Sequence, residues 1–147
     1  MMKKLIYLLP VLMLLGSCSS SESAQTNEQK TEVGPTAQLN DIWALVSIDA
    51  KELDFSDTNI YRPVLEIKLK DSTALGNTGC NNFQAKMILD GNKISFPPFP
   101  MTRRYCPGYE NVFVEGISKT ASYKIKGLQL FFYDKEGNEV LGFKKVD

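Results

Sequence analysis

Apolar and polar residues alternate along much of the second half of the chain, and this period of two predicts antiparallel strands. From Leu65 to Lys70 aliphatic and charged residues alternate strictly, as in a strand that is buried on one face and wet on the other. The alternation returns from Phe83 to Leu89, and Asp90-Gly91-Asn92 then predicts a hairpin turn before a strand over residues 93–96. An apolar run over residues 43–48 predicts an earlier strand.

One helix is expected after these strands. Apolar residues recur at helical spacing between Tyr109 and about Ala121, and Glu110 lies in the first turn, where the helix dipole favours an acid. The expected apolar stripe consists of Tyr109, Val112, Phe113 and Ile117. Prolines at positions 97, 98, 100 and 107 make the preceding stretch extended and irregular.

Closing strands are expected over residues 123–125, 128–133 and 140–144, separated by glycine-containing turns. The pattern therefore predicts a mainly β fold with one helix, of the α+β class. We expect roughly six to eight short strands in a small, curved antiparallel sheet or open barrel, with the helix packed across one face.

The first 18 residues follow a different pattern. Lys3 and Lys4 precede an apolar run over residues 5–15, which is too short to span a bilayer and is broken by a proline. A basic start, a short apolar core and small residues at its end are typical of a secretory signal. Leu15-Gly16-Ser17-Cys18 also resembles the bacterial lipobox. The resemblance implies that the Cys18 thiol is diacylated, that the signal is cut before Cys18, and that the new amino terminus is acylated, as by palmitate. The alternative is a plain secretory peptide with an incidental cysteine.

These features predict the domain organisation and the location. Residues 1–17 are interpreted as a lipoprotein signal peptide, and Ser19 after the cysteine favours the outer over the inner membrane. Residues 18–37 are expected to form a lipidated, flexible tether, because residues 19–32 contain no aromatic side chain and no aliphatic one larger than alanine. Residues 38–147 are then one folded domain, held in the cell envelope by the N-terminal lipid.

The charge balance argues against a nucleic-acid partner. The chain has 17 Lys and Arg against 17 Asp and Glu, and removal of Lys3 and Lys4 with the signal leaves 17 − 2 = 15 basic residues. Binding to phosphates needs a concentrated basic patch, whereas the basic residues here are scattered among carboxylates.

A set of motif residues resembles the META domain of the HslJ-like family. They are Trp43-Ala44-Leu45, Gly79-Cys80-Asn81, Thr102 with Cys106 four positions later, and then Glu110 and Phe113 before a closing strand pair. The resemblance implies a cracked barrel with one helix, similar to envelope pilotins. It also implies a small exported or lipid-anchored envelope protein without an established catalytic activity, some members being linked to stress. Arg104-Tyr105 departs from the Met-Ala that the family typically has there.

Cys80 and Cys106 are predicted to form a disulfide. Acylation of Cys18 would leave these two cysteines as a pair in an oxidising compartment, where an even number favours a bond. The alternatives are a reactive thiol or a metal site, although zinc would need more ligands and the chain has no histidine.

The absence of histidine also removes the usual general base of serine, cysteine and metal-dependent enzymes, so no catalytic activity and no cofactor are expected. Glycosidase chemistry could still use paired carboxylates, with Glu66, Glu110 and Glu115 as candidates. Structural positions explain these three residues better: Glu66 on a wet strand face, Glu110 at the helix start and Glu115 on the helix surface.

Two binding functions from different classes therefore stay open. The first is a structural or stress-protective module that binds another envelope protein through a strand edge or through Phe96-Pro97-Pro98-Phe99-Pro100. The second is a pilotin-like carrier that holds a lipid or small apolar ligand between helix and sheet. Its lining would consist of Phe113, Ile117, Phe131 and Tyr133.

Overall fold

A computed structural model describes residues 35–146, so Cys18, the predicted signal peptide and most of the predicted tether lie outside the described residues. The first strands are β1 (Ile42–Ile48), β2 (Lys51–Glu52), β3 (Val64–Lys68), β4 (Thr73–Asn77) and β5 (Asn82–Lys86). The later strands are β6 (Ile88–Asp90), β7 (Lys93–Ser95), β8 (Ser122–Lys126), β9 (Gln129–Tyr133) and β10 (Glu139–Lys145). The helices are α1 (Pro35–Gln38) and α2 (Glu110–Lys119), and a 3₁₀ turn covers Leu69–Asp71.

The sheet curls until its two ends approach each other. Its strand order is β5-β4-β3-β1-β10-β9-β8-β7-β6, and β2 pairs separately with β1. The terminal strands β5 and β6 are consecutive in the chain, with Met87 alone between them. Because one residue cannot cross an open sheet, the two ends must meet, and the antiparallel sheet becomes a nearly closed barrel. This confirms the predicted fold class.

Inward-facing aliphatic and aromatic side chains fill the barrel. Phe113 of α2, Phe132 of β9 and Phe143 of β10 are fully buried. The ring centroids of Phe132 and Phe143 are 5.3 Å apart, and those of Phe113 and Phe143 are 6.3 Å apart. Burial of such rings supplies a large share of the apolar free energy of a small domain.

The helix α2 packs closely on the sheet because it presents a glycine there. A Cβ added to Gly116 would come within 2.7 Å of the Leu141 side chain in β10. At the other end of the chain, the indole nitrogen of Trp43 donates a hydrogen bond to the carbonyl of Leu39, at 3.0 Å. Both side chains are buried, so the segment after α1 is fixed to the barrel.

The structure corrects the predicted elements in four places. The described residues contain ten strands rather than six to eight. The strand β4 was not predicted, because Gly76 and Asn77 are poor strand formers whose conformation depends on pairing with β3 and β5. The single strand predicted from Phe83 to Leu89 is divided at Met87, and Val112 of the expected apolar stripe is 44% exposed.

Candidate functional site

Three separate segments meet at the disulfide. The turn between β4 and β5 carries Cys80, the irregular loop before α2 carries Cys106, and the first turn of α2 follows directly. The two cysteines are bonded, with their Cα atoms 5.8 Å apart and 26 positions between them in the chain. The predicted disulfide is therefore present, and it joins the loop to the sheet.

The buried side chain of Asn81 connects the same three segments. Its Oδ1 atom accepts hydrogen bonds from the Thr102 hydroxyl at 2.9 Å and from the Arg104 amide at 2.8 Å. Its Nδ2 atom donates to the Arg104 carbonyl and to Glu110 Oε2, each at 2.9 Å. The amide donors and the carbonyl acceptor of this one side chain are thus bonded to residues 21 to 29 positions away along the chain.

Glu110 completes this arrangement at the start of α2. Its Oε2 atom also accepts a hydrogen bond from the Thr78 hydroxyl, at 2.6 Å. A carboxylate at this position interacts favourably with the helix dipole, and its hydrogen bonds are charge-assisted. We call Thr78, Asn81, Thr102 and Glu110, together with the main chain of Arg104, the polar knot.

Gly79 lets the turn approach the neighbouring chain. Its φ is +90°, in the left-handed region, and an added Cβ would collide with the carbonyl oxygen of Tyr61. Its amide donates to the Asn77 side chain at 2.8 Å. The Gly79-Cys80-Asn81 motif therefore has three distinct structural roles: close approach, crosslink and polar contact.

The loop that the knot holds presents an exposed tip. Tyr105 is 99% exposed, and Arg103 and Arg104 are also exposed. The guanidinium group of Arg104 turns back and donates to the Cys80 carbonyl at 2.5 Å. A groove of about 620 Å³ lies along this loop and the start of α2. We call the loop surface the set of Phe99, Met101, Arg103, Tyr105, Asn111 and Val114 that line this groove.

The departure at Arg104-Tyr105 does not disturb the knot. Asn81 contacts only main-chain atoms of residue 104, so a different side chain can occupy that position. The side chains at these positions instead determine the chemistry of the loop surface, where an exposed tyrosine lies next to exposed arginines.

The predicted apolar ligand site is not assembled. Phe113 and Ile117 are fully buried in the core, whereas Phe131 and Tyr133 alternate with the buried Leu130 and Phe132 and so face outward. These four residues do not surround one space. The helix and sheet that were expected to enclose a ligand are instead in contact through Gly116 and Leu141.

The proline-rich aromatic stretch also faces inward for the most part. Phe96 is buried, with its ring centroid 5.7 Å from that of Phe132, and Phe99 packs against Phe83 at 5.4 Å. Of the stretch that the sequence offered as a partner contact, Phe96 is thus enclosed in the core, Phe99 is half-buried, and Pro98 and Pro100 are exposed. Only the edge of Phe99 reaches the loop surface.

The three candidate carboxylates have different local partners. Glu66 forms an ion pair with Lys68 at 3.3 Å, and Glu115 forms one with Lys119 at 2.6 Å on the helix surface. Glu110 belongs to the polar knot. Each residue is accounted for by its own surroundings.

Comparison with known proteins gives a family and a fold. The family model described as META domain matches residues 37–147. An NMR structure of a protein is 21% identical with a TM-score of 0.57, covering 76% of this chain and 93% of that one. An NMR structure of a protein from Burkholderia xenovorans is also 21% identical, with a TM-score of 0.55 and coverage of 76% and 88%.

A crystal structure of a DUF4847 family protein from Bacteroides vulgatus is 15% identical, with a TM-score of 0.52 and coverage of 74% of this chain and 96% of that one. At these identities the likeness concerns the fold. No curated protein matches the chain.

Proposed function

The chain belongs to the META domain family, and on that premise we propose that it is a non-catalytic, lipid-anchored envelope protein whose domain binds another envelope protein through the loop surface. The observation that carries this proposal is that one loop combines an exposed tip with a fixed base. Its tip exposes Tyr105 almost completely, while its base is held by the Cys80–Cys106 disulfide and by Asn81.

Such a loop suits protein binding for two physical reasons. Tyrosine and arginine are the side chains that most often contribute large binding free energies at protein interfaces. A segment whose main chain is already fixed loses little conformational entropy when a partner contacts it. The disulfide and the polar knot provide that fixation on either side of Arg103 and Tyr105.

Charge favours a partner with an acidic segment. Arg103 and Arg104 are exposed at the tip, and the ion pairs among the described residues involve other side chains. The carboxylate of Glu110, which lies nearby, is already occupied by Thr78 and Asn81. Guanidinium groups bind carboxylates in a bidentate manner, so an acidic side chain beside an apolar one would match the loop surface.

Two exposed carboxyl groups have pKa values that are lowered by hydrogen bonds within their own turns. Hydrogen bonds from the Ser56 amide lower the pKa of Asp54, and those from the Asn138 side chain lower the pKa of Asp134. Both carboxyl groups are exposed, and each accepts hydrogen bonds from residues of its own turn. These pKa shifts have local structural causes and do not mark an acid and base facing each other in a cleft.

The carrier function has less support. Its expected lining residues are divided between the filled core and the outer face, as described above. An apolar ligand would therefore have to displace Phe113 or Ile117 from a packed interior, which costs several kcal/mol for side chains of this size.

Site-specific photocrosslinking in intact cells tests the proposed function. A benzophenone amino acid at Tyr105 is expected to capture one discrete envelope protein, and the same group at Lys135 is not. Lys135 is an exposed residue in the turn between β9 and β10, outside the loop surface. With the captured protein purified, Tyr105→Ala is expected to weaken binding roughly 10- to 30-fold.

Two results would argue against the proposed function. Identical adducts from both positions would mean that the capture is nonspecific. An unchanged dissociation constant for Tyr105→Ala would mean that the partner contacts another surface. The intact mass of the chain made in a bacterial host tests the anchor separately, because acylation predicts a start at Cys18 and added acyl mass.

A further inference from the structure

One end of the barrel carries a cluster of partly exposed aliphatic residues. Leu128 lies at the tip of the turn between β8 and β9 and is 54% exposed, while Ile42 is 40% and Val146 is 41% exposed. The Val146 amide donates to the Ile42 carbonyl at 2.9 Å, and the Lys145 amide donates to the Leu128 carbonyl at 2.8 Å. These main-chain contacts show that the three residues lie on neighbouring segments. We call them the apolar end.

The described chain begins at this same end. A surface depression of about 660 Å³ is lined by residues of α1 and by the turn before β9, including Ala37, Gln38, Gly127 and Leu128. Only sixteen residues separate Cys18 from Pro35. The composition of residues 19–32 predicts a coil, and a coil of sixteen residues has an r.m.s. reach of roughly 20 to 25 Å, so a lipid on Cys18 would keep the apolar end within about that distance of the bilayer.

Lysines flank the apolar end. Lys126 of β8 and Lys144 of β10 are both in register with Gln129 of β9, one on each side. Side chains at paired positions of adjacent strands share a face of the sheet, and both lysines are exposed. Lys124 lies two residues further along β8 on the same face.

Among residues 35–146, Asp41 and Glu66, the acidic residues next to Ile42, are already paired. Asp41 forms an ion pair with Lys145 at 2.6 Å, and Glu66, which lies opposite Ile42, pairs with Lys68. Burial disfavours ionisation of Asp41, but hydrogen bonds from Lys145 and from the Ile42 amide outweigh it and lower the pKa of this carboxyl. Lys126 and Lys144 thus give the apolar end a positive rim.

We infer that the apolar end rests on the bilayer that holds the chain, with Leu128 in the headgroup region and Lys126 and Lys144 on anionic headgroups. An aliphatic tip with a basic rim has the composition of a surface that binds the membrane interface. This inference depends on the lipid anchor of the proposed function. Contact between the apolar end and the bilayer would add to the lipid anchor, and together they would hold the domain in one orientation.

Fluorescence of a polarity-sensitive label tests the inference in the full acylated chain. Leu128→Cys places the label at the apolar end, and Lys135→Cys places it in the turn at the opposite end of β9 and β10. In vesicles of phosphatidylethanolamine and phosphatidylglycerol, the label at residue 128 is expected to shift to the blue and to be quenched by bromolipids. The label at residue 135 is expected to behave as it does in water.

A second variant tests the basic rim without relying on acylation. The unacylated Cys18→Ala chain is expected to bind phosphatidylglycerol vesicles weakly, and Lys126→Gln and Lys144→Gln are each expected to weaken that binding about fivefold. Lys135→Gln is the matched control and should leave it unchanged.

The outcomes separate the inference from the proposed function. If the acylated chain is held by vesicles while the label at residue 128 stays in water, the inference is wrong and the anchor stands. If the chain carries no acyl mass, the anchor and the inference that depends on it both fail. Equal blue shifts at residues 128 and 135 would also overturn the inference, because they would show no preferred end.

Discussion

Replacing Asn81 with leucine is expected to lower the free energy of unfolding by roughly 3 to 5 kcal/mol, because the fully buried Asn81 side chain makes several hydrogen bonds to partly buried groups, which lose them together. The change leaves the Arg104 carbonyl and Glu110 Oε2 without the hydrogen-bond donor of Asn81. It also leaves the Arg104 amide and the Thr102 hydroxyl without its acceptor. The half-buried Glu110 carboxylate keeps its hydrogen bond from the Thr78 hydroxyl but loses the charge-assisted one from Asn81. Urea unfolding followed by circular dichroism measures the difference.

The neighbouring asparagine provides a matched control for this change. Asn82 is exposed, and its side chain accepts one hydrogen bond, from Asn77 at 2.8 Å. Asn82→Leu should therefore cost no more than about 1 kcal/mol. If the two variants lose equal stability, the polar knot does not hold the three segments together.

Removing the disulfide is expected to have a similarly large effect. The double variant Cys80→Ala, Cys106→Ala should lose about 3.5 kcal/mol of unfolding free energy, because the bond closes a loop of 26 positions in the unfolded chain. Urea unfolding of this variant and of the reduced wild-type chain should give the same midpoint, which controls for the substitutions themselves.

The native loop should nevertheless keep its position in the double variant. Asn81 still bonds the main chain of Arg104, and the Thr102 amide still donates to the Asn82 carbonyl at 3.0 Å. We therefore expect the double variant to lose stability while its structure stays almost unchanged. A loss below about 1 kcal/mol would show that the bond does not constrain the unfolded chain as the loop-closure model requires.

Much of the fold could be predicted because it depends on patterns among residues that are close together in the sequence. Strict alternation between Leu65 and Lys70 and the Asp90-Gly91-Asn92 turn depend on neighbouring residues, and the structure has a strand and a hairpin there. The division at Met87 could not be found in this way, since Met87 is buried and continues the alternation on either side. The segment is divided into β5 and β6 because these two strands lie at the two ends of the sheet, where the barrel closes.

The polar knot depends on contacts that sequence patterns do not contain. Asn81, Thr102 and Glu110 were recognised as motif residues, but their partners lie more than twenty positions away. Thr78 was overlooked, although a threonine directly before Gly79-Cys80-Asn81 was the available signal. Periodicity also failed for the apolar ligand site, because Phe131 and Tyr133 face the outside of a strand whose alternate residues fill the core.

Hydrogen exchange measured residue by residue tests most directly whether the polar knot fixes the loop surface. The amides of Thr102 and Arg104 donate to Asn82 and to Asn81 at the base of the loop. If the knot fixes the loop, both amides exchange as slowly as those of the core strands, while the amide of the exposed Tyr105 exchanges quickly. Rapid exchange at Thr102 and Arg104 would contradict it, because the loop would then be free to move and could not present a fixed surface to a partner.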